Sequence, residues 1–297
     1  MKIAIFGGAG FIGRHLGNQC QLQGGEALGF DVATPSCDTH FPVTRHDILN
    51  DPIQLPPDID VVYYLAQSTA RDKGSVNFSN MFSINVTGAL KAAEAAREYG
   101  AGCFCYASTG TVYQPGFEPF QEDRPVRRDQ AYALSKVMAE EALTLLDNSI
   151  HLLCVRLFGV FGPTQTGMLV PNITDRIREG QPVTLNGNPN DPDDRDGLRI
   201  SLTFVEDVVD CLSALTRAKL ERRKVPNILN VASDQAISIR RLAEAIGREI
   251  GVEPRFESVP ENRESDYIAD VTRLRALIDT PFATLEEAIS RTLAQRV

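Results

Sequence analysis

The chain has 297 residues, with 30 Lys and Arg against 39 Asp and Glu, for a formal charge of −9. That acidic balance, with no long basic run to track a phosphate backbone, excludes nucleic acid as the main partner. A hydrophobic share of 43% with 23% charged residues is ordinary for a globular protein able to bury one large core or two modest ones, and no apolar run approaches a membrane span.

The N-terminal residues pass directly into a strand over 2–6 with no leader-like pattern, so a reduced, cytoplasmic enzyme is expected. Further strands are expected over 27–31, 60–66, 103–107 and 151–157, alternating with helices over 11–23, 85–99 and 129–146. This alternation predicts an α/β fold, a Rossmann doubly wound parallel sheet with crossover helices. Beyond Gly162-Pro163 the texture changes: a helix over 168–178, then a loop over 186–197 rich in Gly, Asn, Pro and Asp. Thr203-Phe204, a helix from Val205 and a strand over 227–231 return to the sheet, and helices over 238–250, 272–278 and 284–295 close the chain. The expected organisation is a cofactor-binding Rossmann domain of residues 1–163 with 200–231, and a discontinuous substrate-binding region of 164–199 with 232–297.

The six cysteines are scattered. Cys103 and Cys105 share one face of a strand, which suits packing better than a disulfide. Without CxxC spacing or a histidine grouped with cysteine, no metal site is expected.

Gly7-x-x-Gly10-x-x-Gly13 follows the first strand and opens the first helix, with Phe11 and Ile12 inside the motif. Glycines there allow a tight turn and close approach of backbone N–H groups to a pyrophosphate at the helix N-terminus. Asp31 ends the second strand, where a carboxylate accepts from ribose hydroxyls and repels a 2′-phosphate; NAD is therefore expected over NADP. Arg14, at the helix start, is the one residue there that favours a phosphate. Asp47-Ile48 follows a short third strand and can meet the adenine or cap a turn. Leu65-Ala66-Gln67 ends the fourth strand, with small residues that let a cofactor lie close to the backbone.

Tyr132 and Lys136 stand four apart on a helix, on one face. A lysine beside a tyrosine favours the phenolate and makes the phenol a usable acid/base. Thr109 lies at the carboxyl end of the fifth strand, where its hydroxyl can bond the substrate oxygen that Tyr132 works on.

Taken together, these motifs resemble the extended short-chain dehydrogenases/reductases, the NAD-dependent epimerase/dehydratase family acting on nucleotide sugars. The likeness extends through Asn85-Val86-Thr87-Gly88, Ser108 to Tyr113, Arg156 to Pro163, Phe204 to Val208, Asn230-Val231-Ala232 and the closing passage from Ser265 to Leu277. The resemblance implies a Thr109/Tyr132/Lys136 triad, and an Asn85 that supports the lysine or else reads as a helix cap. It implies hydride transfer between a sugar carbon and NAD, with Lys136 also on the nicotinamide ribose. It also implies a homodimer through the helices over 85–99 and 129–146.

Departures narrow the chemistry. Dehydratases of the family carry Asp-Glu after the catalytic Thr, and decarboxylases place Glu where Thr111 stands; here the pair is Gly110-Thr111. Gln114 replaces a usual glycine, and Gly159 replaces an Asn that contacts substrate. Arg199 lies one place early for a diphosphate-binding arginine, Ile200 holding the expected place, and Arg263 is a second candidate. The expectation is an NAD-dependent C4 epimerase of a nucleotide hexose. A nucleotide-sugar 4-ketoreductase and a non-catalytic NAD-binding regulator are the alternatives.

Overall fold

The computed structural model describes residues 1–69, 77–147 and 149–294. The first strand, β1 (Lys2–Phe6), is apolar and buried from Ile3 onward, as a strand covered on both faces must be. A glycine turn leads into α1 (Phe11–Leu22), followed by β2 (Glu26–Asp31), β3 (Val43–Arg45) and β4 (Val61–Tyr64). Then come α2 (Phe78–Phe82), a π-helical turn over Ser83–Gly88, α3 (Ala89–Glu98) and β5 (Cys103–Thr109). A single 3-10 turn over Gly110–Val112 precedes α4 (Ala131–Thr144) and β6 (His151–Leu157).

The chain continues through β7 (Val160–Phe161), α5 (Leu169–Arg178), β8 (Val183–Asn186), β9 (Arg199–Ser201) and β10 (Thr203–Phe204). After α6 (Val205–Leu220) and β11 (Ile228–Val231) it closes with β12 (Ala236–Ser238), α7 (Ile239–Ile250), β13 (Phe256–Val259), α8 (Thr272–Arg275) and α9 (Leu285–Ala294). The helix expected over 284–295 reaches one residue beyond the described chain.

Seven strands form the main sheet in the order β11-β6-β5-β4-β1-β2-β3. Neighbours from β3 through β6 are all parallel. The order reverses beside β1, which has β2 on one side and β4 on the other, and ligands of open α/β sheets gather beyond the carboxyl ends at that point. This is the doubly wound Rossmann architecture.

The chain divides into two compact units, residues 1–114, 125–157 and 209–229, and residues 115–124, 158–208 and 230–297. Residues 115–124, 158–163, 200–208 and 230–231 therefore lie in the second unit, where the sequence expectation put them with the first. In the first unit the core runs from Ala4 and Phe6 through Tyr64, Phe104 and Tyr106 to Cys154. The alanines of α3 (Ala89, Ala92, Ala93, Ala95, Ala96) allow that helix to pack closely against it. In the second, α5, α7 and α9 bury Ile173, Leu242, Ile246 and Ile289 with Val183 and Leu185 of β8.

The short strands β8, β9, β12 and β13 of the second unit were not expected from sequence. β8 pairs in parallel with β13, and β9 antiparallel with β12. Each spans only three or four residues, too few for an alternation to show. All six cysteines are free thiols, and burial pushes Cys103 up to about 12 and Cys105 well above the usual thiol range.

Candidate active site

The glycine turn is dictated by backbone proximity. Gly7 has φ +89°, and a Cβ on it would lie 2.6 Å from the backbone nitrogen of Ala66; the carbonyl of Gly7 fills the space a Cβ on Gly13 would need. Gly10 caps α1 without a side chain, and the first turn of that helix holds no acid. The positive end of the helix dipole therefore faces outward through a bare backbone, the arrangement a diphosphate requires.

Asp31 organises this turn. Its Oδ2 accepts the Ala9 N–H at 3.0 Å and its Oδ1 the Ala33 N–H at 3.0 Å. The carboxylate thus stands at the end of β2 directly against the glycine loop. Arg14, next along α1, is buried with its Nη1 directed at Cys37 Sγ in the loop after β2. Asp47 acts as a turn cap: its Oδ1 accepts the Leu49 N–H at 2.9 Å and its Oδ2 the Asn50 amide at 2.8 Å. The Asn50 bond, then the Leu49 N–H, holds its carboxyl below the usual range. Ile48 is buried in the core beneath it.

The residues expected to be catalytic lie at and beside the carboxyl end of β5. Lys136 is fully buried and its Nζ donates to the Ala107 carbonyl at 2.8 Å. Two residues on, at the end of the same strand, the Thr109 hydroxyl shares a 2.7 Å hydrogen bond with that of Thr111. Lys136 Nζ lies 4.9 Å from the centre of the Tyr106 ring and 5.9 Å from that of Tyr132. Burial pushes the ammonium down to about 7, with the carboxylate of Glu140 opposing the fall. The Tyr132 hydroxyl donates to Gln67 Oε1 at 2.7 Å. Gln67 thus touches the Tyr132 phenol, beyond the backbone role expected of the Leu65-Ala66-Gln67 segment.

Asn85 lies within the π-helical turn and is not a helix cap. Its Oδ1 accepts the Ser68 N–H at 2.8 Å, and its Nδ2 donates to the Ser68 carbonyl at 3.0 Å and to Ser135 Oγ at 2.9 Å. It therefore ties the segment after β4 to the helix that carries Tyr132 and Lys136. Carbonyls displaced in the widened turn are satisfied by phenols: Tyr64 donates to Ile84 at 2.6 Å and Tyr106 to Asn85 at 3.2 Å. Such turns are frequent at functional sites.

Two buried residues behind the site were not singled out from sequence. Glu140, four after Lys136 on α4, pairs with Arg156 of β6 at 2.6 Å and receives the Ser108 hydroxyl. The Arg156 guanidinium also lies over the Tyr113 ring, 4.7 Å from its centre. The i, i+4 spacing from Lys136 was the available signal, but nothing local marked Arg156 as its partner.

Of the four substrate candidates, Gly159, Arg199 and Arg263 lie in the second unit and Thr109 in the first. Arg263 is 7% exposed; its Nε meets Asp266 at 2.8 Å, its Nη1 donates to the Asn186 carbonyl at 3.1 Å, and its Nη2 pairs with Asp194. Two carboxylates already neutralise its charge, so it is a structural clamp on the 186–197 loop, not a free diphosphate ligand. Arg199 is exposed at the start of β9, its backbone N–H held by Asp266 at 2.9 Å. Gly159 has φ +44°, and a Cβ there would lie 2.6 Å from the Ser201 carbonyl. The missing side chain leaves no room for a larger substrate, because β9 fills the space.

The sequence profile of the NAD dependent epimerase/dehydratase family matches residues 3–232. The chain belongs to that family. It is 24% identical to UDP-glucuronic acid decarboxylase 1 of Xenopus tropicalis, over 98% of this chain and 71% of the relative. It is 26% identical to UDP-glucose 4-epimerase of Mycolicibacterium smegmatis, over 99% and 97%. Among solved structures, UDP-glucose 4-epimerase of Thermus thermophilus in complex with NAD superposes with a TM-score of 0.78 at 23% identity, covering 99% of this chain and 98% of that one. The chain is thus an enzyme of an NAD-dependent family, and the glycine turn and Asp31 are the parts of it that fit the cofactor. Among the described residues, no helix is long and apolar enough to cross a membrane.

Proposed function

We propose that this enzyme interconverts nucleotide hexoses differing in configuration at C4, with no net oxidation. The observation that carries this reading is the set of groups at the end of β5. Tyr132, Lys136 and Thr109 are present, while Gly110 and Thr111 offer no carboxylate. The first three suffice to move a hydroxyl proton; elimination or decarboxylation would call for an acid at the following positions.

The Gly7/Gly10/Gly13 turn would hold the cofactor diphosphate at the N-terminus of α1, and Asp31 the adenosine ribose. Bound NAD supplies two-electron oxidation and reduction at the sugar carbon. Tyr132 takes the C4 hydroxyl proton as the C4–H bond is broken and the carbonyl forms. Once the keto-sugar has presented its other face, Tyr132 returns the proton to the oxygen. Lys136 stabilises the phenolate that stands before the first transfer and again after the second. Thr109 orients the oxygen, and Arg199 is the exposed arginine that we assign to the substrate diphosphate.

The direct test is incubation with UDP-, GDP- and dTDP-hexoses without added reductant. Interconversion of two sugars, lost in Tyr132→Phe, is the expected result. Consumption of NADH with a 4-keto-sugar and no interconversion would replace the epimerase by a ketoreductase. The homodimer expected from the resemblance would use α3 and α4, where Met138 is exposed; a monomer mass on gel filtration would overturn it.

A further inference from the structure

Gln67 is 65 residues from Tyr132 in sequence, yet its side-chain carbonyl accepts the phenol hydrogen at 2.7 Å. The backbone on either side is well held. Ala66 packs against Gly7, and Ser68 is clamped on both its N–H and its carbonyl by the buried Asn85. The Gln67 side chain itself is exposed, so its amide is free to turn about its last bond while its root stays fixed. A primary amide has a chemical property that neither a carboxylate nor a lysine shares. It can accept through oxygen or donate through nitrogen from nearly the same place.

We propose that Gln67 is a positioning residue for Tyr132, its amide holding the phenol oxygen in both states of the proton transfer. When Tyr132 is protonated, Oε1 accepts from it. Before Tyr132 takes the sugar's proton, and again once it has returned it, the oxygen is a phenolate, and the amide turns so that Nε2 donates to it. Gln67 neither gains nor loses a proton. It keeps the phenol at one rotamer between the two half-reactions, when a keto-sugar must turn over in the site. The role rests on the reading of Tyr132 as the proton-moving group.

Two titratable groups act on Tyr132 from elements packed around it. Lys136, from its own helix, is 5.9 Å from the ring centre. Tyr106, from β5, would oppose a second phenolate, but burial keeps it protonated. Lys136 brings charge, and Glu140 acts on it from the next turn of α4.

The experiment is an NMR titration of the full chain, labelled at the tyrosine ring carbon bearing oxygen, with NAD added. The Tyr132 resonance is identified by its loss in Tyr132→Phe. In Gln67→Glu the phenol should titrate about one unit higher than in the native chain, because a carboxylate accepts from a phenol and repels a phenolate. Gln67→Leu should also raise it, by less, through loss of the donor. Turnover should fall about tenfold in both with KM for the sugar and affinity for NAD little changed. Identical titration of Tyr132 in the native chain and Gln67→Glu would overturn the proposal. The titration needs no substrate, so absence of sugar interconversion would sink the proposed activity and leave this result standing.

Discussion

Glu140 and Arg156 face each other with their side chains 3% and 5% exposed, Oε2 lying 2.6 Å from Nη2. Arg156 Nε reaches the same carboxylate at 3.1 Å, and the Ser108 hydroxyl donates to Oε1. Taking two such charges out of water is expensive, and good geometry with full hydrogen bonding is what makes the pair tolerable. The pair anchors α4 to β5 and β6 one turn beyond Lys136.

Breaking that pair from one side should be severe. Glu140→Gln leaves a buried guanidinium without its counter-charge, which typically costs about 3–5 kcal/mol. Thermal denaturation should show a large drop in Tm, and Glu140→Leu with Arg156→Met should recover most of it. Equal loss in the single and double variants would contradict the account.

Lys136 is held in place at a cost in stability. Its ammonium is pushed down to about 7 by burial, against about 10.4 in an unfolded chain. Below pH 7 both states carry the proton and the burial cost is fully expressed. Between the two values the folded chain has lost the proton while the unfolded chain keeps it, so this group's contribution to stability rises with pH. Lys136→Met should therefore raise Tm by roughly 2–4 °C near pH 6 per ~1 kcal/mol relieved, with the gap closing toward pH 10. Turnover should fall by about a hundredfold or more.

Asp31→Asn retains an acceptor for the Ala9 N–H while removing the charge that repels a 2′-phosphate. Relief of ~1.4 kcal/mol would shift the ratio of NADP to NAD dissociation constants about tenfold toward NADP. Fluorescence titration with both dinucleotides measures it; an unchanged ratio would mean that Asp31 serves only the glycine turn.

Restoring the Asn that the resemblance associates with position 159 should not help. The positive φ of Gly159 is one that Asn can adopt, but its Cβ would meet the Ser201 carbonyl at 2.6 Å. Gly159→Asn should destabilise by about 1–3 kcal/mol through overpacking, without lowering KM for the sugar. Denaturation and steady-state kinetics on the same variant check both halves.

Much of the first unit was legible in advance because its signals are local. The glycine turn, Asp31 at a strand end, and Tyr132 and Lys136 on one helical face each need only a few consecutive residues and a known period. Asn85 was visible as a supporting residue, but its place in a π-helical turn was not. The carbonyls displaced in that turn are satisfied by Tyr64 and Tyr106, which come from other elements. Asp47 could have been a ligand or a cap, and the bonds to Leu49 and Asn50 show the cap.

The sequence by itself determined the parallel sheet, the glycine turn, the shared helical face of Tyr132 and Lys136 and the NAD-dependent enzyme family. Hydrophobic period, glycine placement and i, i+4 spacing are properties of neighbouring residues. Only the tertiary structure decided which distant polar groups meet. It set Gln67 against Tyr132, Glu140 against Arg156, Arg263 between Asp194 and Asp266, and Gly159 beneath Ser201. Each of these follows from the packing of separate elements, where the cost of an unpaired buried charge or an overlapping atom selects the partner, and no short stretch of chain records that cost.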